Sequence, residues 1–145
     1  MNRQFFILAA FLAMLIPVSA QAQKVRIINP NTATAEQLEG AGLDARLIDA
    51  IQKQRPFASI VEFDDLVSDS LSDDEAEQLY VRVFVPVNLN TGTEEEIELI
   101  PGMADHMVHE FLEYRPYPDM ETFNREIGKY VDENEVARYR SYVTL

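Results

Sequence analysis

His106 and His109 stand three residues apart, with Asp105 and Glu110 beside them. On a helix such a pair shares one face and could begin a metal site. No third ligand at a distance completes it, so the pair reads as an exposed helical face and no metal site is expected. Asp73-Asp74-Glu75 and Glu94-Glu95-Glu96 offer calcium chemistry. They lack the spaced Asp-x-Asp-x-Asp-Gly loop that calcium needs, and carboxylates in a first helical turn are favoured by the helix dipole. There is no Gly-x-Ser-x-Gly elbow, no P-loop and no dinucleotide fingerprint. With no recognised site, neither an enzyme nor a cofactor is expected.

Two glycine turns hold the remaining chemistry: Gly42-Leu43-Asp44-Ala45 and Gly102-Met103-Ala104-Asp105. A glycine lets the backbone approach a ligand closely, and free amides at a helix start bind anions. Both turns, however, place an acidic side chain, Asp44 or Asp105, where a phosphate oxygen would dock. No lysine cluster follows either turn to supply attraction and counterion release. Arg55 and Arg115 end equivalent segments. They read as cations satisfying a helix C-terminus, or alternatively as contacts to a phosphate or a partner carboxylate.

These residues sit in an internal repeat. Asn29-Pro30-Asn31-Thr32 recurs as Asn88-Leu89-Asn90-Thr91 at an offset of 59, and Gln54-Arg55-Pro56-Phe57 as Tyr114-Arg115-Pro116-Tyr117 at 60. Phe63 maps on Phe123, Leu71 on Val131 and Leu79 on Tyr139. One inserted residue at a tight turn, between Leu38–Gly42 and Ile97–Gly102, explains the slip. Capping-box spacing at Thr34/Gln37 and Thr93/Glu96 starts the first helix of each copy, residues 35–39 and 94–99. Second helices run over 44–54 and 105–114 and stop at Arg-Pro. Third helices cover 59–67 and 120–130, and fourth helices 73–81 and 133–142. Residues 81–87 read as an extended connector. The aromatics Phe57, Phe63, Phe111, Tyr117, Phe123 and Tyr139 belong to the core. One copy of about 60 residues is marginal for a core, so the two copies should pack together.

Residues 1–22 carry a secretory leader pattern: Arg3, an apolar run from Phe5 to Val18, then Ala20-Gln21-Ala22. Cleavage is expected after Ala22, with Ala20 the second candidate and an uncleaved anchor helix the alternative. Cleavage would leave no membrane-spanning segment and a periplasmic or extracellular chain. The absence of cysteine excludes disulfides and lipoprotein anchoring. The full chain carries a net charge of −13. Residues 23–87 hold 6 basic against 12 acidic residues, and residues 88–145 hold 5 against 13. This field repels a polyanion at long range and favours basic or neutral partners.

The order Asn-x-Asn-Thr, helix, glycine turn, helix, Arg-Pro and a closing helix pair resembles the helix-hairpin-helix module of the ComEA competence-protein family. Asn29, Asn31-Thr32-Ala33, Gly42, Ile51, Arg55 and Pro56-Phe57 carry the resemblance in the first copy. Asn88, Asn90-Thr91, Ile97, Pro101-Gly102, Arg115-Pro116 and Phe123 carry it in the second. It implies an all-α fold of tandem helix-hairpin-helix (SAM/ComEA-like) modules packed together after a signal peptide. The expected division is residues 1–22, 23–85 and 86–145. The family's DNA-binding members use a Gly-apolar-Gly hairpin, whose second glycine is Asp44 or Ala104 here. The altered hairpins and the acidic charge make another extracytoplasmic protein the expected partner. DNA uptake is the alternative that the resemblance implies.

Overall fold

A computed structural model describes residues 26–145; the expected signal peptide lies outside them. The described chain is mostly helical. Its helices are α1 (Ala35–Gly40), α2 (Ala45–Gln54), α3 (Ile60–Ser68), α4 (Asp73–Tyr80), α5 (Glu94–Glu98), α6 (Asp105–Glu113), α7 (Met120–Ile127) and α8 (Glu133–Arg140). Two short strands, β1 (Val87–Asn88) and β2 (Val143–Thr144), complete it. No helix among the described residues is long and apolar enough to cross a membrane.

Local signals account for the helix starts. Thr34 and Thr93 each form a reciprocal capping box with the residue three positions on, Gln37 or Glu96. Asp44, Ser59, Asp119 and Asp132 cap α2, α3, α7 and α8 with their side chains. At α4 the Glu75 carboxylate accepts from both the Ser72 amide at 2.9 Å and its hydroxyl at 2.7 Å. The largest departure in helix length is at α7, which ends at Ile127 rather than near Tyr130; α8 ends at Arg140, two residues early. Gly128 closes α7 at the C-cap, where an added Cβ would stand 2.7 Å from the Asn124 carbonyl oxygen.

Equivalent residues make equivalent long-range bonds in the two copies. The Asn31 side chain donates to the Phe57 carbonyl at 2.9 Å and accepts from the Phe57 amide at 2.7 Å. Asn90 does the same with Tyr117, at the same two distances. Each asparagine thus fastens the turn before a copy's first helix to the backbone just after its Arg-Pro pair. Each copy also closes its leading segment onto its trailing one. Ile28 pairs in parallel with Val83, and Val87 with Val143. These pairings are two residues long or less, too short to leave a period-2 pattern in the sequence.

All six aromatics assigned to the core are buried. Three further rings, Tyr80, Phe84 and Tyr142, are also buried. Phe84 stacks edge-on with Tyr142 at 5.0 Å and joins the two copies. Nearby, α5 packs against α3.

Of the carboxylates held below their ordinary values, which also include Glu36, Asp119 and Glu126, two give the fold a testable acid response. Backbone and side-chain hydrogen bonds from Ser72 hold Glu75 below its ordinary value of 4.5. The hydrogen bond from Arg138 does the same to Glu135. A depressed pKa contributes stability that is present above the unfolded value and lost as pH falls through the folded one. The melting temperature should therefore fall as pH drops below about 4.5. In a Glu75→Gln, Glu135→Gln double variant that fall should be shallower, while stability near neutral pH is lower. Melting curves recorded by circular dichroism across this range check it; an unchanged acid slope would assign the effect to other groups.

Candidate functional site

The two glycine turns differ in construction, and the inserted residue is the reason. In the first copy the exit from α1 is closed by Gly42 at φ 95°. The Gly42 amide donates to the Glu39 carbonyl at 2.9 Å, and the Leu43 amide to the Leu38 carbonyl at 3.2 Å. This is the paired closure of a Schellman cap, with glycine at its left-handed position. In the second copy Pro101 is added before the glycine. Pro101-Gly102 then occupies the centre of a four-residue turn closed by the Met103 amide on the Ile100 carbonyl at 2.9 Å, with Gly102 at φ 69°. Proline followed by a glycine of positive φ suits a type II turn. The slip from 59 to 60 is the exchange of one helix exit for the other.

The helix starts after the turns differ as well. In the first copy the Asp44 carboxylate accepts from the Leu47 amide at 2.8 Å. The anion position at the start of α2 is thus filled by the protein's own carboxylate. In the second copy Ala104 is the N-cap and has no side chain to donate or accept. Asp105, one residue past the cap, is exposed in the first turn of α6. Ala45 is exposed in the first turn of α2. Leu43 is buried and Met103 half-buried, so each turn's apolar residue packs inward.

Each turn glycine faces a guanidinium, supplied from non-equivalent positions. A Cβ placed on Gly42 would lie 3.3 Å from Arg82 Nη1, and one on Gly102 3.7 Å from Arg138 Nη2. Arg138 also donates to the Pro101 carbonyl and is held by Glu135, with Nη2–Oε1 at 2.6 Å and Nε–Oε2 at 2.8 Å. Its guanidinium lies 4.6 Å from the Tyr139 ring centre. Neither cation stands near its turn in the sequence, so no local spacing could have found it.

The repeat-equivalent cations have other positions. Arg55 does not satisfy the last carbonyls of α2. Its Nη1 donates to the Ala33 carbonyl at 2.9 Å and the Pro30 carbonyl at 3.3 Å, tying α2 to the leading turn. Arg115 makes no such contact; its Nε and Nη2 are enclosed without a hydrogen-bond partner. His109 faces Glu113 on its own helix at 3.2 Å, and both are exposed. Among the described residues no three His, Cys, Asp or Glu side chains gather where they could hold a metal.

A cleft of about 390 Å³ lies between the copies. Its first wall is α3 and α4, with Asp64, Leu71, Asp73 and Glu77; its second is residues 98–103, with Glu98, Leu99 and Met103. The Tyr80 hydroxyl at its edge donates to Asp64. Burial, reinforced by Asp64, raises the Tyr80 pKa, so this hydroxyl stays protonated at neutral pH and is no base. The Ser68 hydroxyl, which also lines the cleft, donates to the Asp64 carbonyl. An apolar floor under carboxylates can hold a cationic side chain.

No family model, no curated protein and no solved structure matches this chain. What the described residues define is a mostly helical protein in which the repeated asparagines, Asn31 and Asn90, make equivalent bonds.

Proposed function

We propose that this chain is an exported, non-enzymatic protein of the ComEA-like helix-hairpin-helix type that binds another extracytoplasmic protein. One observation carries the preference for protein over DNA. Asp44 caps the Leu47 amide with its own carboxylate, so a phosphate at the first turn would have to displace a tethered anion. The net charge of −13 opposes the same approach at long range. The cleft between the copies, apolar below and acidic at its rim, suits a basic segment of the partner.

DNA binding is the second reading, and the second turn favours it. Ala104 leaves the start of α6 without a side-chain cap, and Arg138 stands beside Gly102. Gel retardation of duplex and single-stranded DNA at low salt, followed by a salt titration, separates the two. The protein reading expects no retardation. Retardation that weakens steeply with salt, and is lost when Gly102→Asp puts a carboxylate in the second turn, would establish the DNA reading instead.

A further inference from the structure

The cleft between the copies has a counterpart in the second copy. Seven residues of the first copy line the cleft: Asp64, Ser68, Leu71, Asp73, Ala76, Glu77 and Tyr80. Sixty residues on, all seven equivalents line one groove of about 660 Å³ between α7 and α8. In the first copy residues 98–103, the turn of the copy that follows, form the facing wall and cover this face in part. In the second copy the groove is walled by α7, α8 and their connection alone.

The open groove differs from the covered one in ways that suit a visitor. Gly128 replaces Ser68 and Ala137 replaces Glu77, which widens it. Arg140 replaces Tyr80, so the Asn124 side-chain oxygen Oδ1, at the position where Asp64 accepts from Tyr80, is enclosed without a hydrogen-bond partner. Arg125, paired with Glu126, and Arg140 line the groove beside Glu121, Asp132 and Glu133, whereas the lining residues of the first copy's equivalent face include no cation.

We infer that this groove docks the first turn, residues 39–43, of a second copy of the same chain, in the place where residues 98–103 sit within one molecule. The contact would be head-to-tail, joining unlike surfaces and leaving a free groove and a free turn at the two ends. Three observations select this occupant. The contact continues an interface already made inside the chain. The first turn is flanked by Glu36, Glu39 and Asp44, with Arg82 beside Gly42, and the groove offers Arg125 and Arg140 among its own Glu121, Asp132 and Glu133. Its outer side is open, since a Cβ on Gly40 would meet nothing within 4 Å. Gly40 stands where the second copy has the half-buried Leu99, so the intermolecular contact lacks that apolar side chain and is weaker than the internal one. It depends on the duplication and not on the partner proposed above, and the DNA test does not bear on it.

Sedimentation equilibrium of the protein as cells accumulate it, from micromolar to millimolar concentration, tests this. Weak, reversible association is expected. Gly40→Leu restores the missing side chain at an open position and should tighten association about tenfold, the effect of burying part of one leucine. Ala137→Glu, which puts the first copy's residue into the groove, and Arg140→Glu, which reverses its charge, should each weaken it; both sites are exposed, so the fold is kept. A monomer throughout, Gly40→Leu included, overturns the inference. Association indifferent to Gly40→Leu also overturns it, because two grooves would then be meeting each other. Association indifferent to both groove variants overturns it too, because the turn would be docking elsewhere.

Discussion

Asn90→Asp should lower the unfolding free energy by about 3 kcal/mol, and Asn31→Asp by a similar amount, although each exchanges one side-chain NH2 for an oxygen. Asn90 bridges the amide and the carbonyl of Tyr117. A carboxylate can still accept from the amide. It cannot donate to the carbonyl, and it sets a negative charge against an oxygen 2.9 Å away. The carbonyl is left without its partner in a half-buried site, which costs about 1–3 kcal/mol, and the charge adds to that. The defect should shrink on acidification, because a protonated carboxyl regains a donor. The new group's folded pKa is raised, so the lost stability returns as pH falls through it. Urea unfolding at neutral and at acid pH measures both parts. A loss below about 0.5 kcal/mol would mean that solvent satisfies the Tyr117 carbonyl and that the bridge matters little.

That bridge marks where sequence reasoning ran out. The Asn-x-Asn pattern is legible as turn chemistry because part of its work is local: Asn29 and Asn88 accept from the amide two residues on at 2.9 Å. The reach of Asn31 across 26 residues is set by tertiary packing, and spacing carries no trace of it. Capping boxes were legible for the same local reason, as was the insertion at Pro101. Arg55 looked like a helix-end cation because it follows α2, yet its partners lie 22 and 25 residues back in the chain. The two guanidiniums over the turns, Arg82 and Arg138, were out of reach of any motif. Phe84 escaped the expected core because it lies in a short segment that reads as a connector.

Phe84→Ala should cost about 3–5 kcal/mol, as much as truncating a ring in the middle of a larger core. The ring is fully buried. It stacks edge-on with Tyr80 of the first copy at 6.1 Å and with Tyr142 of the second at 5.0 Å. Those contacts decide more than total stability. Stacked repeats are held by the stability of each unit plus the interface between neighbours, and a unit of about 60 residues is marginal by itself. Removing Phe84 acts mostly on the interface. The two copies should unfold together in the parent chain and separately in the variant. Amide hydrogen exchange at Phe57 and Tyr117, the backbone N–H groups held by Asn31 and Asn90, reads each copy independently. Equal opening free energies in the parent and unequal ones in Phe84→Ala are expected. Phe63→Ala cuts the first copy alone, at a ring stacked on Phe57 at 5.3 Å. With the seam intact it should lower protection in both copies, because the second loses its support when the first opens. If Phe63→Ala leaves the Tyr117 amide protected as before, the copies are independent folding units and Phe84 only fills space between them.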